Sequence, residues 1–167
     1  MTAEVLRARP QTEKVKTGLT DKARKEIAAS LGEVLANTMI LQMKSQVYHW
    51  NVVGPLFYPL HQLTETHYNN LFAAADVIAE RIRALGHMAP LSNKALIKHA
   101  DLKEETGNRT AAEMVEQLVS DHEQLIRDAR EAAKHAEENS DFVSHDLLTE
   151  RLAFHEQAVW MLRAIVA

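Results

Sequence analysis

The stretch PLHQLTETHYNNLFAAADVIAERIRALG, from Pro59 to Gly86, carries apolar residues at intervals of three and four. This spacing places them along one side of an α-helix, as in helices that pack against a bundle core. Pro59 suits the first turn of such a helix, and Gly86 suits its end. We therefore predict one long helix with a continuous buried face. That face consists of Leu60, Leu63, His67, Leu71, Ala74, Ile78, Ile82 and Leu85.

A second pattern lies beside this buried face. His61 and Glu65 are four residues apart, and so are Asp76 and Glu80. Each pair places two potential metal ligands on one face of the helix, although either pair alone would be ordinary on a solvated face. Corresponding members of the pairs are fifteen residues apart. That separation is about 22 Å along a helix axis, so one helix cannot gather all four side chains around a metal.

The two pairs are symmetric about a point between Asn70 and Leu71. A two-fold axis at that point would pack the helix antiparallel against the same helix of a second copy. Such an isologous contact builds two identical sites, each with ligands from both chains. The facing pairs would be His61 with Glu80 and Glu65 with Asp76. The contact face between the ligand pairs would contain Tyr68, Asn69, Phe72 and Ala73.

The ligand types indicate the metal. Histidine with several carboxylates suits iron or manganese better than a soft metal. A di-iron site inside a bundle uses Glu-x-x-His pairs, and this sequence has none. Among the other histidines, His87, His99 and His135 are expected to be solvated, while His122 and His155 fall near core positions as structural residues.

One more long helix precedes the Pro59–Gly86 helix, and a long connection follows it. A helix is predicted from about Thr20 to about Asn51, ended by Gly54 and Pro55. After the Pro59–Gly86 helix, residues 87–109 form a connection in which a short helix is predicted around residues 92–99.

Two long helices follow this connection. The third long helix opens with a capping box at Thr110 and Glu113, and the fourth is capped by residues 139–141. Four long helices with one long crossover predict an all-α, ferritin-like four-helix bundle at residues 20–167. Its remaining core positions include Ile27, Leu31, Val34, Leu35, Leu41, Met114, Leu118, Leu125, Ala129, Ala132, Leu147, Leu148, Leu152, Val159, Leu162 and Val166.

Composition narrows the functional classes. The 167-residue chain has no cysteine, which excludes disulfides, zinc–cysteine sites and thiol catalysis. Its net charge of −4 argues against a compact basic nucleic-acid module. We find no signal peptide and no stretch of about 20 apolar residues, and therefore expect a soluble, cytoplasmic protein without membrane contact.

Residues 1–19 are expected to form a flexible, mildly basic tail. They contain four cations, Arg7, Arg9, Lys14 and Lys16, against Glu4 and Glu13. The alternative is that this tail is an electrostatic arm for nucleic acid.

Several motifs resemble one family. They are HWNVVGPLF at residues 49–57, Leu60-His61, Glu65 and DVIAERI at residues 76–82. Together they resemble the Dps family, the DNA-binding proteins from starved cells, which are dodecameric miniferritins. LLTER at residues 147–151 and HEQAVWML at residues 155–162 are similar to the family's fourth helix. The resemblance covers roughly residues 20–166.

The resemblance implies a ferroxidase centre at a dimer interface. One chain would supply His49, His61 and Glu65, and its partner Asp76 and Glu80. His49 enters only through the resemblance, and the family often has Asp at the position of Glu65. Family members oxidise Fe(II) to Fe(III), commonly with hydrogen peroxide and otherwise with oxygen. They store ferric mineral in a hollow shell of twelve subunits built from two-fold dimers, which protects DNA from oxidative damage.

We also predict an iron-uptake pore and a radical trap, and we consider DNA binding. The resemblance places a candidate iron-uptake pore at Asp141 and Asp146, although acids at a helix start are also ordinary caps. Trp50, beside His49, is a candidate radical trap, with core packing as the alternative. DNA binding is doubtful, because the tail carries a net charge of only +2. Two other functions stay open: a nucleoid-associated architectural protein that coats DNA through its tail, and a helical interaction module with chance ligands.

Overall fold

The computed structural model describes residues 7–167, and every regular element in that part of the chain is a helix. The helices are α1 (Asp21–Asn51), α2 (Phe57–Ala84), α3 (Asn93–Ile97), α4 (Ala111–Glu138) and α5 (Phe142–Ile165). Helices α1 and α2 form one hairpin, and α4 and α5 form another. The crossover between them carries the short α3. The predicted all-α four-helix bundle with one long crossover is confirmed.

The ends of the helices follow from capping chemistry. The Thr20 side chain accepts a hydrogen bond from the Ala23 amide at the start of α1. Thr110 and Glu113 form the predicted capping box of α4. Helix α2 begins two residues before the predicted Pro59, because the Phe57 amide already donates to the carbonyl of Gly54 over 3.0 Å. Pro59 then lies in the first turn, where a missing N–H leaves no bond unmade.

The core lies where the periodicity predicts it. All eight predicted core positions of α2 are buried, including His67, which is only 2% exposed. Burying one large aliphatic side chain contributes about 1.5–3 kcal/mol, so this face supplies much of the driving force for folding. The prediction is wrong for Val166, which follows the last residue of α5 and is exposed. Within residues 7–167, none of the helices combines the length and apolar character that a membrane span requires.

Buried polar side chains tie the crossover and α4 to α1. The Asn37 side-chain oxygen accepts hydrogen bonds from the amides of Asp101 and Leu102, at 2.9 and 3.1 Å. Lys44 Nζ lies 2.5 Å from Asp121 Oδ2, and both side chains are buried. Because a buried charge is costly without its partner, this ion pair fixes the register between α1 and α4.

Part of the N-terminal segment contacts the end of α2. The Glu13 amide donates to the Gly86 carbonyl over 2.8 Å, and Arg83 binds the Gln11 carbonyl and the Glu13 carboxylate, each at 3.1 Å. Gly86 has a φ of +86°, and a Cβ there would collide with the Glu13 carbonyl oxygen. Residues 1–6 of the predicted tail lie outside the described residues, and its mobility stays a prediction.

Three histidines meet in the middle of the core. His67 on α2, His122 on α4 and His155 on α5 are all buried. The Nδ1 atoms of His122 and His155 are 2.8 Å apart, and the rings of His67 and His122 pack edge to face at 5.2 Å. Burial lowers the pKa of His67 to about 4, and burial together with the charge of Arg151 lowers the pKa of His155 to about 3. Burial also lowers the pKa of His122.

This cluster predicts acid sensitivity. In the unfolded chain the three histidines become protonated once the pH falls below their usual pKa of 6.5. In the folded chain His67 and His155 stay neutral until the pH falls to about 4 or lower. The free energy of unfolding should therefore fall as pH drops from about 6.5 to 4, by up to about 1.4 kcal/mol per pH unit for each histidine. Urea unfolding at several pH values measures this slope. His67→Phe should flatten it, and an unchanged slope in that variant would contradict the assignment.

Candidate metal centre

The turn between α1 and α2 brings two predicted ligands together. His49 lies in the last turn of α1, and His61 lies in the second turn of α2. Gly54 has a φ of +87°, a conformation that glycine adopts without strain, and it reverses the chain between them. The two imidazole rings stack with centroids 3.8 Å apart and planes inclined by 14°.

Reciprocal hydrogen bonds hold this pair of rings. Nδ1 of His49 lies 2.8 Å from the carbonyl oxygen of His61, and Nδ1 of His61 lies 2.8 Å from the carbonyl oxygen of His49. A carbonyl oxygen only accepts, so each Nδ1 carries the proton and donates. In the neutral ring, each Nε2 then keeps its lone pair. A metal-binding histidine has this arrangement, with one nitrogen fixed by the protein and the other free for the metal.

Each of the stacked imidazoles also contacts an aromatic side chain. The Phe57 ring lies 5.0 Å from that of His61, with the planes inclined by 25°. The Tyr68 ring packs edge-on against His49 at 5.3 Å. Sequence reasoning did not assign Phe57 to the site or place Tyr68 against a ligand. The four-residue spacing between Phe57 and His61 was the signal for one of these contacts.

Tyr48 anchors the end of α1 that carries His49. Its buried hydroxyl donates to Glu105, which also accepts hydrogen bonds from the Gly107 amide at 2.7 Å and from Arg109 at 2.6 Å. Burial would raise the pKa of Glu105, but these hydrogen bonds outweigh burial and lower its pKa to about 2. An ionised carboxylate therefore fastens the crossover to the end of α1 that carries His49.

The other three predicted ligands lie along α2. Glu65 is half-buried one turn beyond His61, whereas Asp76 and Glu80 are exposed in the second half of the helix. Glu65 and Asp76 are about 16 Å apart along the axis at 1.5 Å per residue. Among residues 7–167, no three His, Asp or Glu side chains of one chain come together as a metal site. One chain therefore separates the predicted ligands into two groups.

The face of α2 between these groups is open and partly apolar. Phe72 is 68% exposed, although large apolar side chains are usually covered. Beside it runs a groove of about 560 Å³ between α1, α2 and the crossover. Its lining includes Leu35, Met39, Phe72, Asp76, Ala79 and Leu96.

The structure distinguishes the two candidate pore residues. Asp141 is buried, caps α5 by accepting from the Ser144 amide, and lies 2.6 Å from Arg81 Nη2. Burial would raise the pKa of Asp141, but the hydrogen bonds from Ser144 and Arg81 outweigh burial and hold its pKa below the usual value. Asp146, in contrast, is exposed on α5.

Trp50, the candidate radical trap, follows His49 in the sequence, and its side chain is 62% exposed.

Matched substitutions separate the two aspartates. Asp141→Ala removes a helix cap and leaves Arg81 without its partner, so the free energy of unfolding should fall by about 3 kcal/mol. Asp146→Ala should change it by less than about 0.5 kcal/mol, because the side chain is exposed. Urea unfolding at one protein concentration compares the variants. Equal losses would contradict the capping role of Asp141.

Comparison with known proteins assigns the fold to a class. A family model described as a ferritin-like domain matches residues 28–167. The Dps protein of Vibrio cholerae, whose crystal structure is described as that of a member of a broad superfamily of ferritin-like diiron-carboxylate proteins, superimposes with a TM-score of 0.87. It is 28% identical and covers 96% of this chain and 100% of that chain. This chain is therefore a ferritin-like protein.

Closer relatives narrow the class. The DNA protection during starvation protein of Brevibacillus brevis is 35% identical over 140 residues, which cover 84% of this chain and 94% of that protein. An uncharacterized low temperature-induced protein of Nostoc sp. is 41% identical over 155 residues, covering 92% of this chain and 87% of that protein. The chain belongs to the Dps family.

Proposed function

We propose that this protein binds Fe(II) at sites shared between two copies of the chain, oxidises it and stores the ferric product. Membership of a ferritin-like family with relatives named for DNA protection supports a general role in iron storage and DNA protection. One observation carries the finer proposal. The reciprocal hydrogen bonds of His49 and His61 leave both Nε2 lone pairs free to bind a metal, one helical turn before the carboxylate of Glu65 on α2.

The second copy completes the ligand set. An antiparallel two-fold contact centred between Asn70 and Leu71 brings Asp76 and Glu80 of the second copy to His61 and Glu65. The exposed Phe72 ring and the neighbouring apolar groove, which Asp76 also lines, support this contact. Exposed apolar patches edged by polar residues are typical of protein interaction surfaces.

The stacked histidines favour two metal positions in each site. A metal bound to an imidazole nitrogen lies close to the plane of that ring. The planes of His49 and His61 are nearly parallel, and their centroids are 3.8 Å apart, so a single metal cannot lie in both planes. We assign each histidine to its own iron. Two irons bound in this way would form a dinuclear site, in which the metals are typically roughly 3.5–4 Å apart.

The ligands also suit the reaction. Oxidation adds one positive charge to each iron, and the carboxylates of Glu65, Asp76 and Glu80 stabilise that charge. Two Fe(II) ions supply the two electrons that reduce one hydrogen peroxide molecule to water, with two protons taken from solvent. A paired oxidation of this kind avoids the one-electron step that releases hydroxyl radical. Oxygen is the alternative oxidant.

Storage requires an enclosed space, and we propose that the dimers assemble into a twelve-subunit shell. The exposed Asp146 then remains the better candidate for an iron-uptake pore, because Asp141 already caps α5 and pairs with Arg81. Trp50 remains a candidate radical trap beside His49.

Protection of DNA in this proposal comes from removing Fe(II) and peroxide, and it does not require the protein to touch DNA. Arg7, Arg9, Lys14 and Lys16 are exposed and offer weak contacts to phosphates. The net charge of −4 per chain opposes them, so the nucleoid-coating function is the less favoured alternative.

A ligand substitution tests the proposed function. His61→Ala combined with Glu65→Ala removes a nitrogen and a carboxylate from each site, and Fe(II) oxidation should slow at least about tenfold. The rise in ferric absorbance after addition of Fe(II) and hydrogen peroxide measures the rate. Gln62→Ala, at an exposed position between the two ligands, is the matched control and should oxidise iron like the wild type. Wild-type rates in the double variant would refute the site.

A further inference from the structure

The ring of Phe57 has an unusual position for a large apolar side chain. It is 45% exposed and belongs neither to the buried core nor to the partly buried residues that pack against the core. The Phe57 ring stacks on the imidazole of His61, one turn further along α2. Because this ring packs outside the core, its stacking on His61 can have an effect that is separate from core packing.

His61 stacks with two rings. The Phe57 ring lies at a centroid distance of 5.0 Å with the planes inclined by 25°, and the His49 ring lies at 3.8 Å with the planes inclined by 14°. Rotation of the imidazole about its Cβ–Cγ bond would drive it into one of these rings. The same rotation would also break the hydrogen bond from Nδ1 of His61 to the carbonyl of His49. The direction of the Nε2 lone pair is therefore set by the Nδ1 hydrogen bond and by stacking with two rings.

We propose that Phe57 is a positioning residue for metal binding, and that its ring holds the His61 imidazole in the orientation that presents Nε2 to the metal. This proposal rests on the proposed function, because it takes His61 as a ligand. Without the Phe57 ring, the imidazole loses one of its two stacking contacts, and orientations with Nε2 turned away become populated. Loss of a hydrogen-bonding partner of a metal ligand typically weakens binding by about 10–100-fold, and for a stacking ring we expect a loss at the lower end of that range.

The test uses Co(II), whose visible absorption reports its ligand geometry and which needs no oxidation step. Phe57→Leu keeps an apolar side chain but removes the ring, and it should weaken Co(II) binding about tenfold. Phe57→Tyr keeps the ring and should bind like the wild type. Tyr58→Leu changes the neighbouring residue, which is 71% exposed, and serves as the matched control. Light scattering on each assembled protein compares its mass.

The outcomes separate this proposal from the proposed function. If the wild type and His61→Ala bind Co(II) equally, His61 is not a ligand and the proposed function fails with this inference. If His61→Ala loses binding but Phe57→Leu matches the wild type, only the positioning role is overturned. The role is also overturned if Phe57→Tyr binds as weakly as Phe57→Leu, if Tyr58→Leu shows the same loss, or if the loss in Phe57→Leu accompanies a fall in assembled mass.

Discussion

The rise of an α-helix, about 1.5 Å per residue, is the constraint on which the proposed site depends. It separates His61 and Glu65 from Asp76 and Glu80 on one continuous helix, α2. The separation is fixed within one chain, because this helix runs unbroken from Phe57 to Ala84 and packs its other face into the core. One helix thus carries a core face, and beside it a face with two half-sites. A second copy related by a two-fold axis is the simplest way to bring the halves together.

The side chains in the middle of the bundle core do not suit a metal site, which agrees with a metal site at the contact between two chains. The middle of the core holds His67, His122 and His155, with the guanidinium of Arg151 lying 4.6 Å above the ring of Phe154. The positive charge of Arg151 contributes to the lowered pKa values of His122 and His155. It would equally repel a metal cation. The carboxylate of Asp121 is bound to Lys44, so the core is organised for packing and for its own ion pairs.

Much of the fold could be predicted because periodicity and capping are local properties of the sequence. The core face of α2, the capping box at Thr110 and the crossover helix all depend on residues within a few positions of one another. The stacking of His49 on His61 depends instead on how the turn at Gly54 sets the angle between α1 and α2. For this reason His49 was predicted as a ligand only from the family resemblance. The Arg81–Asp141 ion pair joins residues sixty positions apart, and no local pattern indicates it.

The central claim is that each site takes ligands from two chains, and co-assembly of two inactive variants tests it most directly. One variant carries His61→Ala and Glu65→Ala, and the other carries Asp76→Ala and Glu80→Ala. If sites are shared, random pairing makes about half of the dimers mixed, and each mixed dimer regains one of its two sites. The co-expressed protein should then oxidise Fe(II) at about a quarter of the wild-type rate, while each variant alone stays inactive. A co-assembled protein no more active than the separate variants would contradict the shared site.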